Sequence, residues 1–250
     1  MGMPISLHVR GPGVRGPDVE AAVARVFDAL READAVFSTY RPDSDISRLA
    51  RGEVELEACH PDVAEVADLC EQARVRTDGW FDPTVSEGGQ ARFDPTGLVK
   101  GWAVQRAAGA LDGLDEHDFC LNAGGDVLTA CSRTDTPPWR IGIEDPAERS
   151  RLLDVVTLRD GAVATSGVAA RGAHIYDPHT GLPPPGLASV TVTGPSLLWA
   201  DVYATAGFAR GPGAREWLSG LTEYAALVVA TDGGISRIHW AQAPPPPPTQ

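Results

Sequence analysis

In the stretch LWADVYATAG, Asp201 and Thr205 stand four residues apart among apolar and small side chains. On a helix that spacing stacks both on one face, one turn apart. A carboxylate beside a hydroxyl suits a hard cation such as Mg²⁺, which takes oxygen ligands and keeps positions open for phosphate oxygens. The same pair also fits a helix that begins at Val202, with Asp201 as its cap and Thr205 bonding back to its own backbone. Either reading must give Asp201 a partner, because burying a lone carboxylate is costly unless it stays protonated.

A second stretch, RFDPTGLVKGWAV, spaces Asp94, Gly97 and Lys100 at three-residue intervals just before a predicted helix. Glycine lets backbone come close to a ligand and Lys offers a point charge for phosphate; a DPTG turn followed by a surface Lys accounts for the same residues. NAGGD (residues 122–126) and ATSG (164–167) put glycine after strand-like runs, which permits close approach to a cofactor or simply makes a turn. In GAHIYDPHTGLPPP, His174 lies in a short strand-like piece, either as a general base near neutral pH or as a hydrogen-bonded core imidazole, while DPHTG reads as a turn. FSTYRPDSDISRL offers Tyr40 for stacking on a planar ligand, or is a polar loop with a cap on a short helix. No second cluster of His or Cys has zinc-ligand spacing, and no GxGxxG or GxxxxGK[ST] loop is present.

The elements that must position these residues follow from periodicity. Asp18 to Ala35 repeats apolar residues at helical spacing, a second helix is predicted from Pro61 to about Arg74, a third follows Lys100, and a fourth spans Leu197 to about Ala209. PISLHV, FCLNAGG, WRIGIED, LDVVTLRDGAVATSG, ASVTVTG and YAALVVATDGGISRIHW read as strands, the last folded back at DGG. Without strict βα alternation, this order predicts an α+β fold rather than a dinucleotide-binding one.

The 250 residues carry a net charge of -13, which opposes nucleic acid and anionic membranes as partners. An anionic ligand therefore requires a metal or a local cluster of donors. No apolar run approaches the length of a membrane span, and the opening residues lack a signal-peptide pattern. The four cysteines lack CxxC spacing and are expected to pack as small apolar groups, consistent with a cytoplasmic location. The Pro-rich residues 242–250 are expected to form an exposed tail outside a folded domain of residues 1–241.

Taken in order, FSTYRPDSDISRL, GWFDPTV, DPTGLVKG, NAGGD, ATSG, HIYDPHTG and ADVYATA resemble the ApbE family of FAD:protein FMN transferases, over roughly Met3 to Gly211. The resemblance implies one α+β flavin transferase domain with a mixed, mainly antiparallel sheet and packed helices. It also implies a Mg²⁺-dependent enzyme that splits FAD and moves FMN onto a Thr or Ser hydroxyl of an acceptor flavoprotein, releasing AMP. An FAD pyrophosphatase and a noncatalytic FAD-binding protein are the alternatives. By resemblance the metal falls to Asp201, Thr205 and a backbone oxygen of Gly97. FAD contacts fall to Tyr40, to Trp80, Phe81 and Asp82, to Asp94 and Lys100, and to Ile175; Asp201 and His174 are the catalytic candidates, with His174 taking the acceptor's proton. The sequence departs from the family in its short SEGGQAR segment, in Gln105 where an Asp is usual, and in Val99 before the Lys.

Overall fold

Proline at the first helical position starts two long helices, where its missing N–H costs nothing and its fixed φ suits the turn. The first, α1 (Pro17–Phe37), adds Asp18 and Glu20 in its first turn and buries Val19, Ala22, Val26, Leu30 and Ala33 along one face. A short α2 (Asp45–Ala50) follows, capped by the Ser44 side chain, which accepts from Ser47 N. Next, α3 (Pro61–Arg76) carries Asp62 early and Arg74 and Arg76 late, the arrangement that complements its dipole. The computed structural model of the protein describes residues 2–87, 90–168 and 175–240. His174 and the tail at 242–250 therefore lie outside the described residues.

The third predicted helix begins a turn earlier than its pattern suggested. Asp94 Oδ1 accepts from Thr96 N at 3.0 Å, and the Pro95 carbonyl takes Leu98 N and Val99 N. These bonds open α4 (Thr96–Ala108) ahead of Gly97, so Lys100 sits inside the helix rather than before it. The fourth helix, α5 (Leu197–Ala209), matches its predicted span, and α6 (Ala214–Ser219) follows it.

The strands are β1 (Ile5–Arg10), β2 (Thr84–Glu87), β3 (Gln90–Phe93), β4 (Asp118–Ala123), β5 (Asp126–Cys131) and β6 (Trp139–Glu144). They continue with β7 (Leu152–Leu158), β8 (Gly161–Gly167), β9 (Leu187–Gly194), β10 (Ala225–Ala230) and β11 (Ile235–Ile238). Seven of them form one sheet in the order β1-β4-β5-β8-β9-β10-β11. Every pairing among the described strands is antiparallel. The β2–β3 hairpin occupies the short segment between FDPTV and FDPTG, and DGG makes the predicted turn, with Gly233 at φ 88°.

Alternation along the strands divides two cores. Leu121, Ala123, Ala162, Ala164, Val190, Val192, Ala226 and Val228 face the helices. Cys120, Val127, Val163 and Leu227 face the other way, where the β6–β7 hairpin covers them with Ile143 and Val156. All four cysteines are free thiols; Cys70 and Cys120 are buried, whereas Cys59 and Cys131 are only partly covered. No helix among the described residues is long and apolar enough to cross a membrane.

The central helix α5 is buried on nearly every side, between the sheet and α4. Gln105, the departure noted on α4, ties the two helices: its Oε1 accepts from Ser196 Oγ at 2.9 Å and Leu198 N at 3.3 Å. They pack tightly at Gly101, where a Cβ would meet Leu198 Cα at 2.9 Å, the Leu197 carbonyl oxygen at 3.0 Å and Asp201 Cβ at 3.2 Å. Two of these are backbone atoms that can yield only if the helices separate. Gly101→Ala should therefore destabilise the protein by about 1–3 kcal/mol. Urea unfolding checks this, and an unchanged midpoint would show that the crossing has slack.

Candidate active site

Asp201 lies in the second turn of α5 and is 2% exposed. The capping alternative fails, because Ser196 caps this helix by accepting from Trp199 N at 3.4 Å. Asp201 instead points at a cation inside the protein: its Oδ1 is 3.3 Å from Lys100 Nζ. The same ammonium is 2.6 Å from Asp126 Oδ2. Lys100 is the chain's single lysine, and the rest of its 21 Lys and Arg residues are arginines.

Asp126 is the residue that sequence reasoning missed. Gly124 and Gly125, at φ 64° and 102°, form the two-residue turn between β4 and β5, and Asp126 is the first residue after it. Pairing of β5 with β8 ends at Val127↔Val163. Beyond that point the Asp126 Oδ1 accepts from Thr165 N at 3.1 Å, so a side chain continues what the ladder leaves. Asp126 is 1% exposed and faces the helices with Leu128. An Asp in phase with an apolar core position was the available signal.

Burial raises the Asp201 carboxyl well above the usual carboxylate range; Lys100 opposes the rise, Asp126 adds to it, and the Gly101 backbone N–H opposes it. Burial disfavours the Lys100 ammonium too, but Asp201 and Asp126 outweigh that effect and hold its pKa above the ordinary value. Lys100 is thus charged throughout the neutral range.

Two hydroxyls lie close by. Ala162, Ala164 and Ser166 share the helix-facing side of β8, and Ser166 Oγ is 3.1 Å from Thr205 Oγ1, one turn beyond Asp201. Asp201 Oδ2 is buried with no hydrogen-bond partner among the described residues. Among the described residues no three His, Cys, Asp or Glu side chains converge as a metal cage. One unsatisfied carboxylate oxygen with hydroxyls beside it fits a hard cation that draws its remaining ligands from backbone, water or substrate.

The other expected residues occupy the surroundings. Gly97 lies one turn before Gly101, with Phe81 Cε2 3.1 Å from where its Cβ would be. Phe81 is buried and its backbone N–H donates to Thr77 Oγ1 at 2.9 Å, so its ring is core and packs under Gly97. Trp80 meets His179 edge to face, ring centres 4.6 Å apart. Asp82 and Asp94 each accept from the backbone two residues on, Thr84 N and Thr96 N. Ile175 is buried, while Tyr40 is 95% exposed. The structure thus gathers Lys100 and Asp201 around Asp126, with Thr205 beside Ser166, and leaves Tyr40 apart.

Arg210 at the end of α5 was also not anticipated. Its guanidinium lies 5.1 Å from the Trp80 ring centre and 4.6 Å from that of Trp217. It donates to the Thr77 carbonyl and to Asp78 Oδ2, each at 2.9 Å. The helix that carries Asp201 therefore also clamps the 77–81 turn.

Removing Lys100 leaves two buried carboxylates without a counter-charge. Lys100→Met should cost about 3–5 kcal/mol of stability near neutral pH. With no ammonium to oppose burial, the Asp201 carboxyl stands still further above its unfolded value, so the deficit grows as pH rises through the carboxylate range and shrinks in acid. Urea unfolding of both proteins at acid and neutral pH checks this; a gap independent of pH would contradict it.

Similarity to known proteins agrees with this geometry. The chain matches the ApbE family over residues 1–91 and 85–228. It is 31% identical to a Vibrio cholerae FAD:protein FMN transferase, over 92% of this chain and 85% of that protein. A Haemophilus influenzae protein of the same name is 29% identical over 58% of this chain, which spans 46% of that relative's length. In structure it resembles the ApbE protein of Thermotoga maritima, with a TM-score of 0.81, 22% identity, and 95% and 94% of the two chains covered. The Vibrio cholerae flavin transferase ApbE gives a TM-score of 0.77 at 23% identity, covering 95% and 93%. The chain belongs to the ApbE family.

Proposed function

We propose that the protein is a Mg²⁺-dependent FAD:protein FMN transferase, which cleaves the FAD pyrophosphate and attaches FMN to a Thr or Ser hydroxyl of an acceptor flavoprotein. The observation that carries this reading is the buried Asp201, mid-helix, with Oδ2 unsatisfied beside hydroxyls and an ammonium. Membership in the ApbE family and the names of the relatives support the flavin chemistry.

In this reading Asp201, Thr205 and the Gly97 backbone oxygen hold the cation. When bound, Mg²⁺ supplies Lewis-acid neutralisation of phosphoryl oxygens. The chain's own residues do the rest. Asp201 contributes the anchoring charge, and Ser166 orients the Thr205 hydroxyl through their 3.1 Å contact. Lys100, charged at neutral pH, lies beside the same carboxylate and adds positive potential where a pyrophosphate must be accommodated by an acidic protein. The 77–81 turn, held by Arg210, offers Trp80 and its backbone to the flavin end, and Tyr40, Asp82, Asp94 and Ile175 complete the FAD contacts. The acceptor oxygen attacks the phosphorus of the FMN portion, the bond to the AMP phosphate breaks, and AMP leaves with its electron pair. His174 takes the proton that the hydroxyl releases.

Incubating the protein with FAD and Mg²⁺, with and without a flavoprotein carrying a target Thr or Ser, tests the reading. Flavin fluorescence should migrate with the denatured acceptor, and AMP should appear in equal amount. FMN release indifferent to the acceptor would mean a pyrophosphatase, and intact FAD would mean a binding protein. Asp201→Asn should lower divalent-dependent cleavage by about a hundredfold or more while the protein stays folded. Full activity in that variant would remove Asp201 from the mechanism.

A further inference from the structure

We propose that Asp126 is the charge-setting residue of the cation site: it holds the ammonium of the only lysine, so that Asp201 keeps an unsatisfied oxygen for a divalent cation. This rests on the reading of Asp201 as a cation ligand, and extends it to a residue outside the Asp201–Thr205 pair and to a charge count.

The argument is one of asymmetry. Asp126 accepts from Thr165 N at 3.1 Å through Oδ1, and its Oδ2, which has no hydrogen bond among the described residues, makes the shorter ion pair with Lys100 Nζ, at 2.6 Å. Asp201 meets the ammonium through Oδ1 at the longer distance of 3.3 Å, and its Oδ2 has no hydrogen-bond partner among the described residues. The ammonium is thus anchored to the sheet through Asp126 and only shared with Asp201 on the helix. Lysine suits this place better than arginine, because a compact ammonium on a flexible stem can shift between oxygens whereas a planar guanidinium tends to lock a carboxylate through two bonds.

The buried charges are two carboxylates and one ammonium, a net of minus one. A divalent cation turns that into plus one, a suitable environment for an anionic pyrophosphate. Without the Asp126 charge, Lys100 would neutralise Asp201 outright, and an incoming divalent cation would meet a site of zero net charge with the ammonium seated on its ligand. Asp126 therefore acts through Lys100; it is a positioning residue and not itself a ligand in this scheme.

The count makes a prediction that a merely structural role does not. Asp126→Asn removes one charge and keeps an oxygen for Thr165 N–H. Adding Lys100→Met to it restores the net charge of minus one on Asp201. Titration calorimetry with Mg²⁺ alone, on the full chain without FAD at mildly alkaline pH, should show affinity about tenfold weaker in Asp126→Asn. The double variant should return to within about threefold of the unmodified protein, since the net charge facing the cation is the same. Because the protein has one lysine, lysine-selective isotope labelling gives one side-chain resonance, which should shift on adding Mg²⁺ to Asp126-containing protein and stay still in Asp201→Asn. Unchanged affinity in Asp126→Asn, or a double variant as weak as the single one, would overturn the proposal while leaving Asp201 as a ligand. Failure of the unmodified protein to bind Mg²⁺ at all would overturn the cation reading and the proposal together.

Discussion

A lysine ammonium shared between two buried carboxylates is the constraint on which the rest of the structure depends. Charges are tolerated in an interior only when paired and hydrogen-bonded, so Asp126, Asp201 and Lys100 must be delivered to one point from three different elements. The sheet supplies Asp126 just after a glycine turn, α4 supplies Lys100 and α5 supplies Asp201. Each helix is placed by its own device: Asp94 and Pro95 start α4, Ser196 and Gln105 start α5, and Gly101 lets the two approach. The charge cluster therefore depends on the packing that surrounds it. That packing must also accommodate two carboxylates whose mutual repulsion the lysine relieves.

The same helix links this cluster to the turn bearing Trp80. Asp201 and Thr205 occupy its middle and Arg210 its end, where a cation between two indole rings also binds the Thr77 carbonyl. A helix buried on nearly every side thus fixes the distance between the charged end of the site and its aromatic end. In the proposed reaction those ends correspond to the pyrophosphate and the flavin.

Much of the fold was legible because its signals are local. The span of α5 follows from a run that lacks Gly and Pro until Gly207 near its end, and the order of motifs carried the family resemblance. Lys100 was expected to face phosphate alone; its partners were invisible because Asp126 and Asp201 lie far from it in sequence and charge pairing has no period. Asp126 itself was hidden by its neighbours, since an aspartate after two glycines reads as turn residue rather than as the first core-facing position of a strand. The start of α4 was misplaced because glycine and proline were read as ending a loop, whereas Asp94 and Pro95 cap the helix through them. Arg210 clamps a turn 133 residues away, a relation that no pattern in the chain announces.

The central claim, that Asp201 directs its free oxygen at a divalent cation while Asp126 retains the lysine, is tested most directly by anomalous diffraction from crystals grown with Mn²⁺ and FAD. The account predicts one strong peak about 2.1 Å from Asp201 Oδ2 and close to Thr205 Oγ1, with the Lys100 ammonium still on Asp126. A peak elsewhere, or none with the ammonium unmoved between both carboxylates, would contradict it.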